Sequence, residues 1–154
     1  MGSGKSAVGR LLAKEKKSYF LDTDALIESS EGSSIHDIFE KYGEKYFRCL
    51  EENTVEWLIH NVKGAVISTG GGMLVYCEKL KEAGQVIYLK VPFDTILSRM
   101  NNNELKKRPL FDDVNKAKEI YQKRTEIYEK RADVIIDADG DLETVLSRLL
   151  AAIT

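Results

Sequence analysis

In the run MGSGKSAV, Gly4, Lys5 and Ser6 stand just ahead of Val8, Leu11 and Leu12, which recur at helical spacing. The trio is the end of the phosphate-loop pattern G-x-x-x-x-G-K-[ST], which opens a helix. In such a loop the glycines let backbone N–H groups turn inward around phosphate oxygens, and the helix N-terminus adds the positive end of its dipole. Lys5 would neutralise β- and γ-phosphate oxygens, and Ser6 would ligate Mg²⁺. The first glycine of the pattern would fall two residues ahead of Met1. A flexible Gly-Ser terminus shares this composition, but the V-x-x-L-L helix that follows favours the phosphate loop.

Further residue sets carry chemistry downstream. LDTDALIE places Asp22 and Asp24 two apart after a short apolar run. On an extended backbone both carboxylates would point to one side, one ordering an Mg²⁺ shell and the other accepting a hydrogen bond or proton from an alcohol. An acidic turn capping a helix is the competing reading. In GEKYFRCLEE, Arg48 and Glu51 are three apart on one helix face. Such a carboxylate holds a guanidinium ready for a planar, bidentate partner such as a substrate carboxylate. ISTGGGM sets Gly70, Gly71 and Gly72 at the end of a strand. This predicts close backbone approach to a ligand or a turn with positive φ. NNNELKKRPLF is polar, with Arg108 held extended ahead of Pro109, as in a lid that carries a cation to ATP. Arg124 and Tyr128 lie one helical turn apart, and Arg124 would serve as a second clamp on an acidic substrate.

The elements that must position these groups alternate. A helix of about 10 to 12 residues follows the loop. SYFLD, GAVIST, QVIYLKV and DVIID read as short buried strands, and Ile35, Ile38 and Phe39 mark one helix. Phe47, Leu50, Val55, Leu58 and Ile59 mark a longer one. A closing helix carries Leu142, Val145, Leu146, Leu149 and Ile153 behind an Asp141 cap. Short continuous apolar strands between helices predict an α/β chain with a parallel sheet covered on both faces. Ligands gather at the carboxyl ends of such strands, so Asp22, Asp24 and the triple glycine are expected to share a crevice with the opening loop.

At 154 residues, 43% hydrophobic and 31% charged, the chain fits a single domain with a real core. Its net charge of −2 gives no footprint for nucleic acid or an anionic membrane. No apolar run reaches the roughly 18 to 20 residues of a membrane span, and no signal-peptide core is read. A cytoplasmic protein is expected. Cys49 and Cys77 lack metal-ligand spacing, and His36 and His60 are given no role.

Taken in order, GSGKS, LDTD, GE-x-x-FR-x-x-E, TGGG, K-R-P-L and R-x-x-x-Y resemble the shikimate kinase family, small phosphate-loop kinases related in fold to nucleoside monophosphate kinases. The resemblance implies transfer of the γ-phosphoryl of ATP to the 3-hydroxyl of shikimate, on the way to chorismate. It also implies a three-layer α/β/α domain spanning 1–154, with a substrate-binding helical region at about 25–60 and a lid at about 101–111. Carried over by motif, Gly2, Ser3, Gly4, Lys5, Ser6 and Ala7 hold the nucleotide phosphates, and Ser6 with Asp22 organises Mg²⁺. Asp24 activates the hydroxyl; Arg48, Arg124 and the backbone of Gly70, Gly71 and Gly72 hold shikimate. Arg108 reaches the phosphates and Arg99 packs near adenine. Ala7 departs from the threonine common at its position, a change a backbone contact tolerates. The family is mostly monomeric, and its sheet has five parallel strands in the order 2-3-1-4-5. Only four are legible here, so roughly ten further residues, an apolar strand and a glycine, are expected ahead of Met1. The alternatives are a kinase for another small acidic alcohol such as gluconate, a nucleotide kinase, or a non-catalytic ATP-binding regulator.

Overall fold

The computed structural model describes residues 3–99 and 114–153. Gly2, Arg108 and the expected lid at 101–111 lie outside them. The chain divides into two compact units, Ser6–Val86 and the described residues of Met1–Lys5 with Ile87–Thr154.

Helix α1, Lys5–Glu15, buries Val8, Leu12 and Ala13 along the stripe expected from its spacing. Strand β1, Phe20–Asp22, then pairs in parallel with β2, Val66–Ser68, in the register Phe20 to Val66 and Asp22 to Ser68. Between them run three helices, α2 (Thr23–Glu31), α3 (Ile35–Tyr42) and α4 (Glu44–Asn61). Asp22 caps α2, its Oδ1 accepting from Ala25 N at 3.1 Å, and Ser34 caps α3 through Asp37 N at 3.1 Å. Two four-residue helices, α5 (Met73–Tyr76) and α6 (Leu80–Ala83), complete this unit.

The cap at Asp22 corrects one expectation. The backbone does not stay extended through Asp24: the helix begins at Thr23 and puts Asp24 in its first turn. Successive residues on a helix turn by about 100°, so the two carboxylates do not share a side. Capping satisfies α2's first N–H groups, and it outweighs continuing a strand that β2 matches for only three residues.

The second unit pairs β3 (Ile87–Lys90) in parallel with β4 (Val134–Asp137). Its helices are α7 (Phe93–Arg99), α8 (Val114–Arg131) and α9 (Leu142–Ile153). Tyr121 of α8 donates to Val91 O at 2.6 Å, and Lys90 pairs with Glu129. Asp141 caps α9 as expected, accepting from Thr144 N at 2.7 Å. That bond holds its carboxyl below the usual range.

The described residues thus form two two-stranded parallel sheets, β1 with β2 and β3 with β4. β1 is half-buried throughout and Ile135 of β4 is exposed. In pairs this narrow each strand has a ladder on one side only.

The core beneath α4 is Ile27, Ile38 and Phe47, with Ile35, Phe39 and Leu50 packed on it. Phe39 and Phe47 meet with ring centroids 4.8 Å apart. This cluster fixes the start of α4, where Arg48 follows Phe47. Ile38 is 1% exposed, so Ile38→Ala is expected to cost about 2–5 kcal/mol. Chemical denaturation reads the loss as a lower midpoint with an unchanged slope.

Candidate active site

The unit Ser6–Val86 assembles one half of a site around the turn that follows β2. Gly70 N donates to Thr23 Oγ1 at 3.2 Å, and Thr23 is fully buried. A Cβ on Gly70 would lie 2.9 Å from Asp24 Oδ1 and 3.2 Å from Glu51 Oε1. One on Gly72 would lie 2.3 Å from Arg48 Nη1. Neither glycine has positive φ; a side chain at either would displace the ends of Asp24 or Arg48, which occupy that space. The triple glycine therefore gathers the acid of one helix and the ion pair of another against a single turn. Gly71, between them, is half-buried.

Arg48 is held from several directions. Its Nη1 donates to Glu51 Oε2 at 2.7 Å, and its Nη2 and Nε donate to Glu44 Oε1 at 3.2 and 3.4 Å. Its guanidinium carbon sits 4.2 Å from the centroid of Tyr76 and 5.4 Å from that of Phe47. Glu51 falls on the buried stripe of α4 among Phe47, Val55 and Leu58, its side chain 1% exposed. A carboxylate buried there is costly unless paired and hydrogen-bonded, and Arg48 supplies the pairing. Burial alone would pull Arg48 down, but Glu51 and then Glu44 more than offset it and raise its pKa. The cation is permanent.

The phosphate-loop residues open α1. Gly4 adopts φ +74°, Lys5 begins the helix, and Ser6 stands half-buried in the first turn with Ala7 exposed beside it. Ser3 is half-buried. This conformation fits the anion cradle that the sequence predicts. The other residues fall in the second unit. Arg124 lies half-buried on α8, and Tyr128 on the same helix packs on Tyr88 at 5.0 Å. Arg99, at the end of α7, donates through Nη2 to Ala138 O and Gly140 O, each at 3.4 Å. A cavity of about 380 Å³ between α2 and α4, lined by Leu26, Leu50 and Trp57 among others, contains none of the expected site residues.

Three site residues escaped the sequence reading. Glu44 carried a signal, standing four residues before Arg48. Thr23 and Tyr76 carried none, since each acts across the chain.

A Gly-Lys-Ser loop opening a helix, short parallel strands, and an acid and a fixed arginine sharing one glycine turn define an α/β phosphate-loop kinase. Known proteins narrow the class. The shikimate kinase family model matches residues 1–154. A shikimate kinase of Helicobacter hepaticus is 42% identical over 97% of this chain and 89% of its own. One from Sulfurihydrogenibium is 42% identical over 90% and 84%. Among solved structures, shikimate kinase of Acinetobacter baumannii in complex with shikimate superposes with TM-score 0.87 at 34% identity, covering 97% of this chain and 86% of that one. The Aquifex aeolicus enzyme superposes at 0.83 with 35% identity, over 98% and 90%. The chain belongs to the shikimate kinase family.

The two thiols report on this half-site. Cys49 is exposed, whereas Cys77 is buried behind the glycine turn. Burial, then the charges of Glu51 and Glu52, push its thiol up to about 11, with Arg48 pulling the other way. At pH 8 iodoacetamide is expected to label Cys49 alone in the folded protein and both cysteines in denaturant, counted by intact mass. The folded thiol binds its proton more tightly than an unfolded one of ordinary value 9.0. Its stabilising contribution is therefore full below pH 9 and lost as pH rises through about 11. Denaturation midpoints should fall less steeply across that window in Cys77→Ala.

Proposed function

We propose that the protein transfers the γ-phosphoryl group of ATP to the 3-hydroxyl of shikimate, giving ADP and shikimate 3-phosphate in the pathway to chorismate. The observation that carries this reading is the packing of Asp24 and Arg48 against one glycine turn. An acid for a hydroxyl and a cation for a carboxylate are the two ends of a small carboxylated alcohol. The relative from Acinetobacter baumannii, solved with shikimate, supports the same acceptor.

In this mechanism Arg48, with Arg124, holds the substrate carboxylate, and the backbone of Gly70, Gly71 and Gly72 lines its ring. Asp24 accepts the hydrogen bond of the 3-hydroxyl and takes its proton as the oxygen attacks phosphorus. The γ-phosphoryl leaves ADP, and Lys5 and Arg108 neutralise charge on the equatorial and bridging oxygens. Gly2, Ser3, Gly4 and Ala7 complete the phosphate cradle, and Arg99 flanks the base. The donor set at Ser6 and Asp22, a hydroxyl and a carboxylate, suits a hard cation. Mg²⁺ held there would offset β- and γ-phosphate charge. Fixed groups of this kind act by positioning and preorganised charge.

The reading extends to the architecture. We place β1, β2, β3 and β4 at positions 2, 3, 4 and 5 of a 2-3-1-4-5 sheet in a single kinase domain. The pairing of β1 with β2 and of β3 with β4 supports that order. The helical region at about 25–60 binds substrate and 101–111 forms the lid. The enzyme works as a cytoplasmic monomer; among the described residues no helix is long and apolar enough to cross a membrane.

Coupled ADP release should respond to shikimate and remain at background with gluconate or nucleoside monophosphates. Turnover of gluconate with silence on shikimate would reassign the acceptor. Asp24→Asn is expected to lower kcat by about 10²–10⁴-fold. Gly72→Ala, by displacing Arg48, is expected to raise KM for shikimate on the order of tenfold or more.

A further inference from the structure

We infer that Tyr76 is a positioning residue for Arg48: its ring, with the bare Cα of Gly72 one turn earlier, fixes the plane in which the guanidinium meets a carboxylate. The inference rests on the reading of Arg48 as the substrate's carboxylate clamp.

The geometry is local to one helical turn. Tyr76 N donates to Gly72 O at 3.0 Å, closing the turn of α5. At one end of it Gly72 leaves room for Arg48 Nη1, which a Cβ would approach to 2.3 Å. At the other the Tyr76 ring lies 4.2 Å from the guanidinium carbon, well inside cation–π range. The same five-residue turn grips Arg48 twice.

Hydrogen bonding alone leaves that plane under-determined. A guanidinium has five N–H donors; Nε and Nη2 bond Glu44 and Nη1 bonds Glu51. One donor therefore remains on each of Nη1 and Nη2, enough for the two oxygens of a carboxylate. Glu44 is 58% exposed and sits on the same helix as Arg48. Bonds in the guanidinium plane let it tilt about its own edge, whereas an aromatic face resists the tilt. Tyr76 is half-exposed, 48%, so its ring is a surface platform whose replacement leaves the core intact.

The test compares Tyr76→Leu and Tyr76→Phe with the parent enzyme. Tyr76→Leu is expected to raise KM for shikimate by roughly three- to thirty-fold, the range of a partly desolvated cation–π contact, with kcat and KM for ATP within twofold. Tyr76→Phe, which keeps the ring, is expected to restore the parent KM. An unchanged KM in Tyr76→Leu, a loss confined to kcat, or a Phe variant as poor as Leu overturns the inference. A second readout needs no turnover. The Arg48 Nε–H NMR signal, assigned by its loss in Arg48→Lys, should carry an upfield ring-current shift that vanishes in Tyr76→Leu and persists in Tyr76→Phe. Absence of that shift in the parent overturns the inference as well. If the parent shows the shift yet ignores shikimate, the acceptor assignment fails while the positioning role stands.

Discussion

The half-site depends on a carboxylate buried in the wrong place for a carboxylate. Glu51 lies on the stripe by which α4 packs, between Phe47 and Val55. An ionised group there is tolerated only while fully paired, so the fold must deliver Arg48 to it. Arg48 in turn excludes a side chain at Gly72, and Glu51 and Asp24 exclude one at Gly70. Sequence demands at two separate segments, FR-x-x-E and GGG, thus follow from a single electrostatic requirement.

That requirement also explains how a chain of net charge −2 holds a fixed, half-buried cation. The cation is not borrowed from a basic surface; it is fixed by two acids that raise its pKa and by an aromatic face. A preorganised arginine loses little rotamer freedom on binding, whereas a free one must give up that freedom when it meets its ligand. The acids that lower the net charge are the same ones that hold Arg48 in place.

Legibility followed range. α4 and α9 are plain because their apolar residues recur over about three turns, α1 because V-x-x-L-L follows the glycine loop, and the four strands because each is a short apolar run. α5 and α6, four residues each, are too short to show any period. Asp22 was misjudged in geometry because strand and cap differ by one residue, and the local competition between them is decided by bonds to Ala25 N and by the short β1–β2 ladder. The triple glycine was legible as a site of close approach, but what approaches Gly70 and Gly72 in this structure is protein. Tyr76 could not be found at all, since its role arises from a contact made 28 residues away along the chain.

The cation of this half-site is insulated from ordinary pH. Arg48 is shifted upward, and the buried Cys77 thiol holds its proton to about 11. In the proposed mechanism the partner of Arg48 is a small carboxylic acid, ionised above roughly pH 4–5. Between those limits cation and anion are both fully formed, so their attraction is constant across the neutral range. Any pH dependence of turnover near neutrality is therefore not a titration of Arg48 or of that carboxylate. Separating kcat from KM for the acceptor across pH follows directly from the way Glu51 and Glu44 hold one arginine.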